Sequence, residues 1–394
     1  MDAKGNPVIF TNGDNDTFPL WYNQETEGVR TDARVCNLSY LQTDWYIDQM
    51  RRPAYDSPSL PISWTRLQYV TGTREGIPVQ VIDYYKDSPE DLKQMLGDNP
   101  YELKNIIRHW VLNDNPDLQI FPTDSIVVTV DKEAVKRSGM MIAADSIPDV
   151  MHISLKGKRA VYKSEMMMLE MISQANWERP LYMSTTVGPD NYGHLGDNFV
   201  QEGLACRITP FDTKQSGRTI DSERMYNNMM NKFKYGGLKE NPDIYLDETV
   251  IRMCYTHRRL FNQLAQQLLK EGQKDKALKV LQRAEEEIPG SIVPHEAFYG
   301  HSLELADAWL ALGHKAEAEK LLNAVGQNAR EYIEWYLSLN TQRLLQSSRE
   351  CLMQIYILND IAKTWEPIDK KKAETYRMEV NNYASRCHQR GMSL

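Results

Sequence analysis

Hydrophobic and polar positions near the start of the chain alternate in blocks. An apolar run, Val8-Ile9-Phe10, gives way to a polar turn over 11–16, a helical stretch to about residue 27, and a second short run over 34–38. That order predicts a β-α-β unit with parallel strands and a right-handed crossover, and it puts the turn after the first strand at the carboxyl edge of the sheet. A second helix is predicted over 43–51. Pro53, Pro58 and Pro61, with Ser57 and Ser59 between them, predict an irregular connection after it. Runs rich in β-branched or aromatic residues over 79–84, 125–130, 152–155, 181–186 and 204–209 predict further strands of the same domain. Between two of these runs Ser164 is placed to cap a helix. Its Met168, Met171, Ile172 and Ala175 fall at i, i+3, i+4 and i+7, so the methionine run reads as core packing. A loop over 188–198 and a polar stretch over 213–242 lead away from the sheet.

From about residue 245 the pattern becomes purely helical. Leu264, Ala265, Leu269, Gly272, Ala277 and Leu281 recur as Leu305, Ala306, Leu310, Gly313, Ala318 and Leu322, a constant offset of 41 residues. Each copy reads as helix, glycine-containing turn, helix, with alanines where the two helices approach closely, which is the logic of a tetratricopeptide repeat. The period exceeds the usual ~34 residues by about two helical turns, and Pro289 and Pro294 mark the extended connection. Segments 347–365 and 369–385 read as a degenerate third pair. The predicted architecture is thus an α/β domain with a largely parallel or mixed sheet over 1–244, followed by an all-α, tetratricopeptide-like domain over 245–394.

Composition narrows the function classes. With 41% hydrophobic and 25% charged residues among 394, the chain reads as globular and large enough for two domains. A formal charge of −8, spread along the sequence, argues against nucleic acid or an anionic membrane surface as partner. No stretch approaches the ~18 apolar residues a spanning helix needs, so no direct membrane insertion is expected. The five cysteines, Cys36, Cys206, Cys254, Cys351 and Cys387, lie far apart without a CxxC pair, which indicates neither a zinc site nor a disulfide framework. The histidines form no HExxH motif and no serine sits in a GxSxG elbow, so a hydrolase has little support. Lys156-Gly157-Lys158-Arg159 lacks the frame of a phosphate loop and reads as a solvated turn. No cofactor or metal is implied.

The candidate chemistry lies in the turn at the carboxyl edge. Asn12, Asp14, Asn15 and Asp16 present carboxylates and amides together, suited to a hard cation or a hydroxyl-rich ligand. The same residues suit a purely structural turn, with Asp16 capping the following helix and Gly13 relieving the backbone. One turn into that helix, Trp21 and Tyr22 can stack on a sugar face, or pack with Phe18 against the sheet. In the repeat region Trp309, Trp335, Tyr332 and Tyr336 suit either a peptide groove or the buried faces of stacked helices.

The stretch from Val8 through Asn12, Gly13, Asp14, Asn15 and Asp16 to Trp21 and Tyr22 resembles one family. So do Glu27-Gly28-Val29-Arg30, the run from Arg34 to Ser39, Thr43-Asp44-Trp45-Tyr46-Ile47, Arg179-Pro180-Leu181-Tyr182 and Thr186-Val187-Gly188. They look like bacterial multi-pass membrane proteins, long called a domain of unknown function, whose membrane part is similar to protein O-mannosyltransferases. The resemblance covers most of residues 8–210. It implies that this chain follows a membrane domain holding the catalytic acidic residue, so no catalytic residue carries over onto a position here. It further implies an accessory region on the periplasmic side of the inner membrane. The leading reading gives it two partners, its own upstream membrane domain and a protein acceptor or partner at the helical repeats; the alternatives are an α/β domain with its own sugar- or metal-dependent activity and a cytosolic helical-repeat adaptor.

Overall fold

The computed structural model describes residues 4–83, 86, 90 and 99–392. Two compact units divide the chain, residues 1–225 and 226–394.

In the first unit, strand β1 (Val8–Thr11) is flanked by β2 (Arg34–Asn37) and β7 (Leu181–Ser184), both parallel to it. All twelve residues are buried, which is why these strands are short, continuously apolar at their centres and closed on both faces. Strands β8 (Phe199–Gln201) and β9 (Ala205–Ile208) continue the sheet antiparallel, giving the order β2-β1-β7-β9-β8. Among the described residues two small antiparallel pairs lie outside this sheet, β3 (Gly76–Pro78) with β6 (Ala160–Tyr162) and β4 (Ser125–Thr129) with β5 (Val150–Ser154).

The strand expected over 79–84 forms instead over 76–78. Val79 makes only an isolated parallel bridge to Phe121, and Tyr84 lies outside the described residues. The three-residue strands β6 and β8 carry too little periodicity to stand out in a sequence.

Helix α1 (Asp14–Glu25) connects β1 to β2, and the short helix α2 (Asp44–Met50) follows β2. The inward face of α1 is not the aromatic one expected. Thr17, Leu20, Trp21 and Gln24, at i, i+3, i+4 and i+7, turn towards the sheet, whereas Phe18 and Tyr22 are exposed. Gln24 explains the shift, because its Nε2 donates to the carbonyls of Arg30 (2.9 Å) and Ala33 (2.8 Å) and so holds the entry to β2. The tyrosine of α2, Tyr46, is also buried. Its hydroxyl accepts from the Asn37 N–H at 2.9 Å and donates to the Val35 carbonyl at 3.4 Å, both on the outer side of β2.

Helix α3 (Lys163–Ala175) buries Met166, Met167, Met168 and Met171, as its periodicity predicts. Ser164 is not its N-cap. Tyr162 holds that position and its N–H donates to Glu165, while Ser164 Oγ accepts from Gln42 Nε2 at 2.7 Å. Arg179, in the Arg-Pro-Leu-Tyr stretch, donates to the carbonyls of Asn6 (2.7 Å) and Ser59 (2.8 Å), fastening the proline-rich connection beside the start of β1. Burial lowers its pKa to about 10, which leaves it charged at neutral pH.

The second unit is built from helix pairs. Helices α4 (Glu248–Lys270) and α5 (Lys274–Glu287) form the first, α6 (Ser302–Ala311) and α7 (Lys315–Ser338) the second, and α8 (Ser348–Trp365) and α9 (Lys370–Gln389) the third. The two repeat copies behave alike. Leu264, Ala265, Ala277 and Leu281 are buried, as are Leu305, Ala306, Ala318 and Leu322, and Gly272 and Gly313 both take the positive φ that ends the first helix of each pair. The extra length between the first two pairs is organised by Arg258. Its guanidinium donates to the carbonyls of Ile288 (3.0 Å), Val293 (2.8 Å) and Pro294 (3.0 Å). Gly290 is required in the same connection, since a Cβ there would come within 2.3 Å of the His295 ring.

Candidate functional site

Successive parallel strands leave β1 on opposite sides, β2 on one and β7 on the other. The carboxyl ends of β1 and β7 are therefore a topological switch point, the usual place for a ligand crevice in an open α/β sheet. The turn singled out in the sequence sits there. Gly13 occupies the N-cap position of α1, extended at φ −129°, and Asp16 stands at the third helical position, so Asp16 is not the N-cap. It serves the helix start from the other direction. Its carboxylate accepts the Gly13 N–H at 2.9 Å and the Asn12 N–H at 3.2 Å, satisfying amides that begin the turn.

The same carboxylate accepts the Thr186 hydroxyl at 2.9 Å, which ties the end of β7 across to α1. Asn12 is fixed by Ser39, whose Oγ lies 2.7 Å from the Asn12 carbonyl and 3.1 Å from its Oδ1. Beneath them Thr11 Oγ1 and Thr17 Oγ1 are 2.7 Å apart, and Asn37 Nδ2 donates to Thr17 Oγ1 at 2.8 Å. Burial pushes the neighbouring Tyr46 phenol above its ordinary pKa, so it stays protonated and available to this network.

The structure thus brings Asn12 and Asp16 together with Ser39, Asn37 and Thr186, three residues that lie in the stretches carrying the family resemblance but were not read as site candidates. It leaves Asp14 and Asn15 exposed on the first turn of α1. Among the described residues no three His, Cys, Asp or Glu side chains are grouped so as to hold a metal ion. Trp21 is half-buried and stacks between Phe18 (5.6 Å) and Tyr40 (6.5 Å), while Tyr22 stands apart, exposed. Lys158, from the basic turn, pairs with Glu165, and Gly157 carries the positive φ of a tight turn.

Two larger hollows were not foreseen in full. One in the first unit, about 780 Å³, has His152, His194, Asp197, Asp212 and Arg218 in its wall. Burial and the Lys158 charge lower the pKa of His194, whose backbone is left-handed at φ +65°. The other hollow, about 520 Å³, lies within the helical unit. Tyr332 and Tyr336 line it together with Tyr255, Phe298 and Tyr299; Trp309 is core, and Trp335 is exposed outside it. Of the four aromatics the sequence offered for groove or core, two line this hollow, one is buried, and Trp335 does neither. No helix among the described residues is long and apolar enough to cross a membrane.

Comparison with curated proteins and with solved structures gives no match. The family profile of TMEM260-associated domain 2, a domain linked to a membrane-protein family, matches residues 1–228. That span is more than half of the chain and contains β1 to β9 with the whole polar network at the sheet edge, and the protein belongs to the TMEM260-associated domain 2 family.

Proposed function

We propose that this chain is an accessory, non-catalytic region of a membrane glycosyltransferase, carried on the extracytoplasmic side, whose helical unit holds an extended segment of the protein acceptor. Family membership supports the link to a membrane protein. The resemblance of residues 8–210 to bacterial proteins with an O-mannosyltransferase-like membrane part supports the sugar-transfer reading. The polar residues at the sheet edge support an accessory role, because Asp16 spends both carboxylate oxygens on bonds within the protein.

The observation that carries the reading is the groove of the helical unit. Its walls are aromatic, from Tyr255, Phe298, Tyr299, Tyr332 and Tyr336, and Arg252, Arg349 and Glu350 stand among them. Rigid aromatic side chains with a polar tip give contact area at little entropic cost, and mixed charges beside them pair with a peptide's own polar groups. The test is photo-crosslinking from position 332 in the full membrane protein. Crosslinks to acceptor polypeptide, reduced in a Tyr299→Ala, Tyr336→Ala variant together with transfer, are the expected result. Robust sugar transfer by the purified chain, abolished by a point change within it, would overturn the accessory role.

One observation favours a second reading, in which the first unit binds a small polar ligand. The 780 Å³ hollow combines two imidazoles, several carboxylates and a guanidinium. Calorimetric titration with mono- and disaccharides, repeated on His194→Ala, separates the two.

A further inference from the structure

The sequence places Cys351 and Cys387 far apart and without any motif. The fold brings them together. Cys351 lies in the first turn of α8 and Cys387 in the last turn of α9, and their sulfur atoms are 3.9 Å apart. Both side chains are fully buried. The two helices run antiparallel from the turn over 366–369, so the thiols meet at the open end of the hairpin, opposite its turn.

We propose that Cys351 and Cys387 form a disulfide that locks the third helix pair when the protein meets a thiol-disulfide oxidant. A disulfide needs its sulfurs at ~2.05 Å, so two thiols already in van der Waals contact have only about 2 Å left to close. The chemistry is two exchanges. The Cys351 thiol loses its proton and its thiolate attacks the oxidant's disulfide, forming a mixed disulfide and releasing one reduced thiol. The Cys387 thiolate then attacks the Cys351 sulfur and expels the second reduced thiol. Two electrons pass from the cysteine pair to the oxidant, and two protons accompany them.

Burial controls the rate of this reaction. It pushes Cys351 up to about 12 and raises Cys387 as well, so the folded dithiol holds almost no thiolate. Closure therefore belongs to folding or to fraying of the helix ends, and the finished bond is shielded from reductant. The remaining cysteines are placed differently. Cys36 is enclosed in the core of the first unit, and Cys254 lies on α4. The bond closes a loop of about 35 residues at the far end from its turn, where it removes the most freedom from the unfolded hairpin.

The test uses the full chain refolded in a glutathione redox buffer, alkylated under denaturing conditions and mapped by mass spectrometry. One crosslinked peptide pair joining Cys351 to Cys387, with the other three thiols alkylated, is the expected result. The oxidised chain should also melt in its helical region ~5–15 °C above the reduced one. That increment should vanish in Cys387→Ser. Five alkylated thiols after oxidative refolding, or a mixture of pairings in which Cys254 competes equally, overturns the proposal. Because the mapping is done on the unaltered chain, it stands whether or not the variant folds. It is also independent of the accessory-region reading, which the same mapping on protein isolated from cells addresses separately.

Discussion

Replacing Arg258 with methionine keeps most of the stem's packing and removes the guanidinium alone. Three carbonyls lose their donor, those of Ile288, Val293 and Pro294. Pro294 is exposed and its carbonyl regains water, so two buried acceptors decide the outcome. Leaving a buried acceptor unsatisfied costs ~1–3 kcal/mol, for a gross loss of ~2–6 kcal/mol. Part is returned because a charge no longer has to be desolvated; burial is the main influence on this guanidinium and lowers its pKa, with Glu285 acting against it. The net expectation is ~2–4 kcal/mol, concentrated in the helical unit. Native-state hydrogen exchange on the full chain reads this directly, through amides such as that of Ala277, which donates to the Gln273 carbonyl at 3.0 Å. A fall in opening free energy under ~0.5 kcal/mol would show that the connection over 288–294 is held by its own turns, and that the three-carbonyl account is wrong.

Other expectations follow from single contacts. Asp16→Ala should destabilise the first unit by ~1–2 kcal/mol, since the Asn12 and Gly13 amides lose their acceptor, whereas Asp14→Ala should change the urea midpoint little; equal effects would contradict the network described. His257 is packed against Phe233 and Tyr235, and burial alone lowers its pKa. Between that lowered value and about 6.5 the unfolded chain binds a proton that the folded chain does not, so stability of the helical unit should fall as pH drops through this window, and His257→Gln should flatten the pH dependence of the midpoint. Ala318→Leu should overpack the α6–α7 contact at a cost of ~1–3 kcal/mol, read as lost exchange protection across the helical unit with protection at Val8–Thr11 retained.

What the sequence showed followed the strength of local periodicity. β1, α1, β2 and the methionine-rich α3 were legible because each carries a complete pattern within about a dozen residues. The repeat was legible because a pattern written twice, in the residues from Leu264 to Leu281 and again from Leu305 to Leu322, averages away local noise. The inward face of α1 was misread by one position. Thr17 and Gln24 are buried polar residues whose partners lie on other segments, and nothing local in the sequence points to those partners. The site itself was half legible. Asn12 and Asp16 announced themselves as a turn, but Thr186 reaches Asp16 from 170 residues away and Asn37 reaches Thr17 from 20. Such partners are set by strand order, which no local pattern encodes. The same holds for the cysteine pair, which meets only because α8 and α9 pack side by side.

The position of β2 at the margin of the sheet has a consequence for behaviour at high concentration. A marginal strand offers a row of unpaired amides and carbonyls on which another chain can polymerise. Here the Tyr46 hydroxyl already occupies the outward Asn37 amide and Val35 carbonyl. The neighbouring Arg34 donates to the Gln49 and Arg52 carbonyls, pinning the end of α2 and the residues just after it alongside the strand. The phenol thus occupies one amide and one carbonyl of the face that an incoming strand would need, and the guanidinium holds a neighbouring segment beside it. These contacts blunt part of this margin against fibrillar or swapped association, using side chains of the chain's own next helix and strand rather than a proline break.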